Sequence, residues 1–484
     1  MNLLPTVQFR PTNDSTPSAF STSSSGVDLT SRTRKHFNHR ETGSLLIIVL
    51  WIAFGLVALT VYFAHSMNLA LRAADDQVAG IEANQAIDGA ARYMSNILGT
   101  VAYPGQMPDP SLFPCEAVPV GNAKYWIIGR DTNEWNINLT KPVFGLVDEA
   151  SKLNLNAPWL TADMIQYLPG MTPQIAAAIM DWRASVSTNG NEDAFYSSLP
   201  QPYKTKNAPF ESVEELQLVE GMTVEILYGE DANLNGILDA NENDGDDSPP
   251  HDNRDGHLDP GLMEYFTVYS REPTIGTNIN NQQAVQALLQ STLGPARTTE
   301  IVRQLYPTRP PIRGGGGSVG APPMGSLVEF YLRSGMTQAE FTQVAEYLTA
   351  ATNSFTEGLV NVNTASEPVL ECIPGITNAY AQQLITYRET NPSQLTNIAW
   401  VVNAMNDDAN ALIAGPYITT HSYQYTADIA AVGHHNRGYR RVRFVFDTSE
   451  EAPLIIHRED LTHLGWALGK DTRTELLAAA KELR

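Results

Sequence analysis

The chain has 484 residues, with 31 basic against 53 acidic side chains, a formal charge of −22 and two cysteines. That length suits two to four domains, each with its own core. The acidic balance opposes nucleic acid and anionic lipid surfaces, and two distant cysteines exclude a zinc cluster or a CxxC redox motif. Cys115 and Cys372 leave open one disulfide in an oxidising compartment or two buried thiols.

Residues 1–30, rich in Ser, Thr and Pro, are expected to be disordered. They begin a leader, 1–43, that carries Arg32, Arg34, Lys35 and Arg40. Leu45–Ala64 is then an uncharged run. At about 1.5 Å per residue a helix of this length spans the roughly 30 Å hydrocarbon core. Basic residues before the run put the leader in the cytoplasm and the large C-terminal body on the far side. Leu69, Ala73, Val78, Ile81, Ala86, Ile87, Ala90, Tyr93, Met94, Ile97 and Leu98 continue at mostly helical spacing. One helix over 44–99 is predicted, its first half in lipid and its second half amphipathic.

Residues 100–150 read as short strands. A helical block over 151–308 is interrupted by an acidic loop at 230–259 and an aromatic strand, Tyr265–Tyr269. A Gly/Pro linker occupies 309–325. A second helical block covers 326–412. Strands at 421–431, 440–447 and 454–457 and a helix near 473–483 fill 413–484. Arg437, Arg440, Arg441 and Arg443 alternate with Tyr439, Val442 and Phe444 and read as a solvated strand face. His434 and His435 read as a hairpin turn. The predicted class is α+β: a long N-terminal helix and an antiparallel sheet, interrupted by a large all-helical domain.

The acidic loop carries the clearest chemistry. Asp231, Asn233, Asn235, Asp239 and Glu242 occupy positions 1, 3, 5, 9 and 12 of a twelve-residue calcium loop. Gly236 stands at position 6, and Ile237 would offer its backbone carbonyl at position 7. Calcium takes six to eight hard oxygens, which this spacing wraps around one ion. Leu238 is expected to anchor the loop. A second copy places Asn253, Asp255, Gly256 and Asp259 at positions 3, 5, 6 and 9, with His251 at position 1 and Glu264 or Asp252 as substitute ligands. Residues 230–259 hold ten carboxylates against one arginine, Arg254, so the loop would repel itself without divalent cations. The expected cofactor is Ca²⁺, in a structural role.

Two blocks repeat. Asn154 and Asn156 precede Leu168-Pro169-Gly170-Met171 and Trp182-Arg183; Asn361 and Asn363 precede Ile373-Pro374-Gly375-Ile376 and Tyr387-Arg388. The pattern is a helix-hairpin-helix, whose glycine permits a tight turn and which in nucleic-acid binders grips phosphate. Basic residues are scarce around both copies, so packing without a ligand is the expectation. A membrane-anchored DNA receptor is the alternative. No G-x-S-x-G, HExxH or P-loop occurs, and no enzyme is expected.

Gly43 before an apolar helix, GLVDEASKLNLN at 145–156, FESVEEL at 210–216, LVNVNTAS at 359–366 and the LIIHREDL…LGWALG close resemble the K-type minor pseudopilin of bacterial type II secretion systems. The resemblance extends from Gly43 to the C-terminus. It implies cleavage between Gly43 and Ser44 by a prepilin peptidase, with methylation, and a single-pass inner-membrane protein facing the periplasm. It also implies a pilin-like core interrupted by a helical domain with calcium sites. The implied role is to cap a pseudopilus tip with two other minor pseudopilins. Most pilin-like subunits carry a glutamate five residues into the mature chain; here that position is Ile48, as suits a subunit with none docking above it.

Overall fold

Small side chains decide which face of the long helix is buried. In the computed structural model, which describes residues 42–101, 105–130, 140–184, 192–307, 322–450 and 452–482, this helix runs Thr42–Gly99. The N-terminal disorder expected for 1–30 and linker residues 309–321 lie outside the described residues. The chain divides at Ala70 into two units. In the first, residues 45–70 are exposed throughout, and the helix is long and apolar enough to cross a membrane. In the second, Ala83, Ala86, Ile87, Ala90, Met94 and Leu98 bury one stripe against Tyr125, Ile127, Ala427, Ile429 and Phe444 of a sheet. Alanine at three- to four-residue spacing lets the helix lie close to the strands. Leu71, Val78 and Ile81 stay exposed.

That sheet has strand order Val118–Val120, Ala123–Ile128, Gln424–Val432, Arg440–Asp447, Leu454–Asp460, with Val147–Asp148 also pairing the central strand, and every pairing is antiparallel. All nine residues of Gln424–Val432 are buried. The helix covers one face, while Trp126, Ile128, Ala430 and Val432 pack under Ala467, Leu468 and Leu476 on the other. The α+β class with a long helix and antiparallel sheet is what the sequence predicted. Cys115 and Cys372 are both free and buried, and burial pushes the Cys115 thiol up to about 11.

The two repeats are part of a set of three among the described residues. In each, a two-residue strand pairs in parallel with a returning one: Leu153–Asn154 with Phe266–Thr267, Thr277–Asn278 with Leu348–Thr349, and Val360–Asn361 with Ile418–Thr419. The first Asn side chain (Asn154, Asn278 or Asn361) accepts the backbone N–H of the Asn two residues on, at 2.8, 2.8 and 3.0 Å. That second Asn donates to a distant carbonyl, on Phe210, Met324 or Leu395. A donor from the second helix of the hairpin then satisfies carbonyls beside the Asn pair. Arg183 bonds Leu155 and Ala157, and Arg388 bonds Val362 and Ala365. The middle copy uses the Tyr306 hydroxyl on Ile279. Its hairpin turns at Gly294-Pro295 between Gln282–Leu293 and Pro295–Leu305. A missing Pro-Gly and a Tyr in place of Arg hide it from sequence comparison.

The arginine-rich strand departs from the expected solvated face. Arg441 is fully buried: its Nε and Nη2 donate to Asp428 at 2.8 and 2.6 Å. Arg443 lies near Asp428 and Glu459, at 3.7 and 3.8 Å. Burial alone would raise the Asp428 carboxyl, but the Arg441 guanidinium holds it below the usual range. Removing one partner of such a pair strands the other charge, at a cost of about 3–5 kcal/mol. Asp428→Ala is therefore expected to lower the midpoint of chemical denaturation by far more than an exposed control such as Asp163→Ala; equal midpoints would refute the buried-pair assignment.

The turn after the central strand is also more than a connection. Gly433 and Gly438 sit against the long helix, where a Cβ would meet Ala79 O at 2.1 Å and Gly80 N at 2.3 Å. This approach lets His434 place Nδ1 2.7 Å from Glu82 and Nε2 2.8 Å from Asp75, with Arg437 2.7 Å from Asp75. The bonds to Asp75 and Glu82 raise the His434 pKa above the ordinary 6.5. A raised folded-state value stabilises below the unfolded pKa and is lost as pH rises through the folded one. The difference in melting temperature between wild type and His434→Gln is expected to be larger at pH 6 than at pH 9. A difference that does not shrink with pH would exclude an imidazolium clamp.

Candidate calcium loops

The acidic segment is ordered by its own amides and by two arginines remote in sequence. Asp231 accepts the N–H groups of Asn235 and Gly236 at 2.9 and 2.8 Å. Glu242 reaches back to the N–H groups of Ala232 and Asp239 at 3.0 and 2.9 Å. Asn233 and Asn235 both donate to Asp239 Oδ2, at 2.7 and 2.9 Å. The first loop thus brings Asp231, Asn233, Asn235, Asp239 and Glu242 together. Leu234 and Ile237 are buried while Leu238 is half-buried, so the loop is anchored by the former two rather than by Leu238.

Two features of this loop suit a bound cation. The Asn233 Oδ1 is buried with no hydrogen-bond partner, an acceptor left open in a protein interior. Burial, together with the neighbouring Asp231, pushes the Glu242 carboxyl up to about 8. Burial likewise raises Asp231, against the pull of Arg130. Buried carboxylates with this cost of ionisation are stabilised by a divalent ion. Asp231, Asn233, Asn235, Asp239 and Glu242 would hold Ca²⁺ through oxygen. Among the described residues no three His, Cys, Asp or Glu side chains form a preformed metal cluster, and the donor set here mixes carboxylates with amides.

The second loop repeats this bonding with a carboxylate from outside its own spacing, Glu230. Asn253 donates to Asp259 Oδ2 at 3.0 Å, and Asp255 accepts the His257 N–H at 2.7 Å. Glu230 Oε1 and Oε2 accept the N–H groups of Asn253 and Asp259 at 3.2 and 3.1 Å, much as Glu242 does in the first loop. The substitutes expected from sequence are engaged elsewhere. Glu264 pairs with Arg130 at 3.0 Å, and Asp252 accepts the amides of Asp244 and Gly245. His251 is exposed beside Asp246. Glu230 precedes its loop by more than twenty residues, so no fixed spacing reveals it.

Positive charge comes from the sheet side. Arg130 and Arg441 both donate to the Leu234 carbonyl, at 2.7 and 2.6 Å, and Arg441 also bonds the Asn233 carbonyl. Arg254, the single arginine within the loop, pairs its guanidinium with exposed Asp247 at 3.0 Å and donates its backbone N–H to Asp252 at 2.8 Å. Chelation of calcium from the purified protein is expected to lower its melting temperature, and Asp231→Asn is expected to abolish that response. A melting curve indifferent to chelator would remove the structural-metal reading.

Of the processing pair, Gly43 and Ser44 lie in the first turn of the Thr42–Gly99 helix. The hairpin turn at Gly375 is packed: a Cβ there would meet the Asn410 carbonyl at 2.6 Å and Ile413 at 3.1 Å.

One family-model match agrees with the resemblance seen in the sequence. Residues 152–228 match the family model described as type II secretion system (T2SS), protein K, and residues 356–398 match a helix-hairpin-helix motif. No curated protein matches. A solved structure, the GspK-GspI-GspJ complex from the enterotoxigenic Escherichia coli type 2 secretion system, matches with 9% identity and a TM-score of 0.34, covering 83% of this chain and 99% of that one. The resemblance to the K-type minor pseudopilin is borne out, the family model falling on the first of the three modules.

Proposed function

We propose that this chain is a minor pseudopilin that caps the tip of a periplasmic pseudopilus, in complex with other minor pseudopilins. The observation that carries the reading is the Thr42–Gly99 helix. Its first part is apolar and exposed over residues 45–70, and its later part is buried on one stripe by the sheet. Such a helix is held in a bilayer before assembly and packs against like helices afterwards. Leu71, Val78 and Ile81, exposed on the later part, would extend that packing beyond the membrane. The protein K match over 152–228 supports the same role.

Ile48, in place of the assembly glutamate, and the large helical modules both suit a terminal subunit. A carboxylate buried in lipid without a partner is costly, and a subunit with nothing docking above it needs none. The role needs no catalysis; the acidic loops would contribute stability through bound calcium. Prepilin peptidase would cut between Gly43 and Ser44, leaving the body in the periplasm and the helix in the inner membrane.

The DNA-receptor reading gains nothing from the packed turn at Gly375 or from the net charge of −22. Full-length protein co-expressed with two minor pseudopilins and a prepilin peptidase is expected to begin at Ser44 and to purify as a stoichiometric complex. Val78→Asp with Ile81→Asp should prevent assembly without changing the monomer's melting temperature. A wild-type chain that stays monomeric, or a salt-sensitive shift of duplex DNA at low salt, would count against the proposal.

A further inference from the structure

Where the returning strand Ile418–Thr419 meets the segment Arg271–Pro273, a cavity of about 220 Å³ opens. A single water needs only about 10–15 Å³ of such space. The cavity is therefore more than a gap for one bridging water. Its walls are mixed, with Phe341, Leu348, Ile398 and Ile418 on the apolar side and Thr349, Asn397 and Thr420 among the polar groups.

Its polar end is acidic. Glu272 and Glu346 line it with His421 between them, the imidazole Nε2 3.3 Å from Glu346 and Nδ1 3.9 Å from Glu272. No lysine or arginine lines the cavity. The adjacent Arg271 is committed elsewhere, to Asp447 at 2.5 Å and over the Phe355 ring at 4.6 Å. The Glu272 Oε2 is buried and has no hydrogen-bond partner. Two carboxylates therefore face at most one positive charge, and one oxygen is open beside the apolar side of the space. A cavity of this make-up suits a ligand with an apolar body and a polar group matched to the open acceptor. An unpaired buried acceptor gains most from a charged donor.

We propose that this cavity binds an alkyl cation, an ammonium or guanidinium group on a short apolar stem. The stem lies along Phe341 and Ile418, and the cationic head donates to Glu272 Oε2 beside Glu346. The same chemistry is offered by a free alkylamine and by a lysine side chain of a protein that docks here. Burial raises the Glu272 carboxyl against the pull of the His421 imidazole and a hydrogen bond from Thr419.

The experiment uses the full chain in detergent micelles, with empty micelles as blank, and ligand-observed NMR. The probes are n-butylammonium, n-butanol as its neutral counterpart, and a short peptide with one central lysine beside its norleucine twin. Saturable binding of at least one cationic probe is expected, with neither neutral counterpart binding. Glu272→Gln and Glu346→Gln should each weaken it by about tenfold, the scale of a charge-assisted hydrogen bond, while melting like wild type. Asp163→Ala, at an exposed position that does not line the cavity, should bind as wild type does. Binding of the amine but not the peptide would assign the site to small amines; binding of the peptide would assign it to a docking lysine. Failure of both cations to bind at about 10 mM, in the range of the weakest specific affinities, would overturn the proposal. So would undiminished binding by a folded Glu272→Gln variant.

Discussion

A guanidinium with no access to solvent constrains much of this molecule. Arg441 lies inside, so its charge must be met by Asp428 and its remaining donors by oxygen. The oxygens it finds are the carbonyls of Asn233 and Leu234, in the middle of the most acidic segment of the chain. One residue thereby couples the central sheet to the acidic loop. Arg130 bonds the same Leu234 carbonyl and pairs with Glu264. The loop is held by positive charge at its base, while its carboxylates gather above. An acidic loop that its own sequence makes self-repelling becomes an ordered part of the body.

A second buried carboxylate plays the corresponding part for the helical domain. Asp148, at the end of a strand that pairs with the central one, accepts from Ala150, Asn361, Thr364 and Ser422. It thus gathers the sheet, the third Asn-x-Asn turn and the segment after the returning strand into one network. The three modules use amide side chains for the same purpose. Each must satisfy the backbone of a sharp strand-to-helix turn that is partly or wholly buried, and an asparagine two residues before the next does so locally. A scaffold tied in this way keeps the helical domain fixed on the sheet.

The local features were legible because their partners are close in sequence. The spacing from Asp231 to Glu242 is local, and the side chains it marks do bond one another and the turn's amides. The long helix and the final strands followed from periodicity. In the second loop the spacing marks Asn253, Asp255 and Asp259, whereas Glu230, which accepts two of its amides, enters from before the loop. Position 8 of the loop makes Leu238 the expected anchor, whereas burial falls on Leu234 and Ile237. The middle module escaped because Tyr306 supplies with a hydroxyl what Arg183 and Arg388 supply with guanidinium.

By itself the sequence determined a membrane-length helix, the α+β class, an acidic loop with calcium spacing and two of the three repeats. Each depends on composition or on residues within a few turns of one another. Only the tertiary structure decided which arginines are buried, which carboxylate accepts the amides of the second loop, and that His434 clamps the long helix. An alternation of Arg with Val and Phe looks the same whether the outer face meets water or another layer. What differs is the layer that folds over it, here the loop carrying Asn233 and Leu234, about two hundred residues away along the chain. Burial is a property of that packing, and so is the charge balance that it demands.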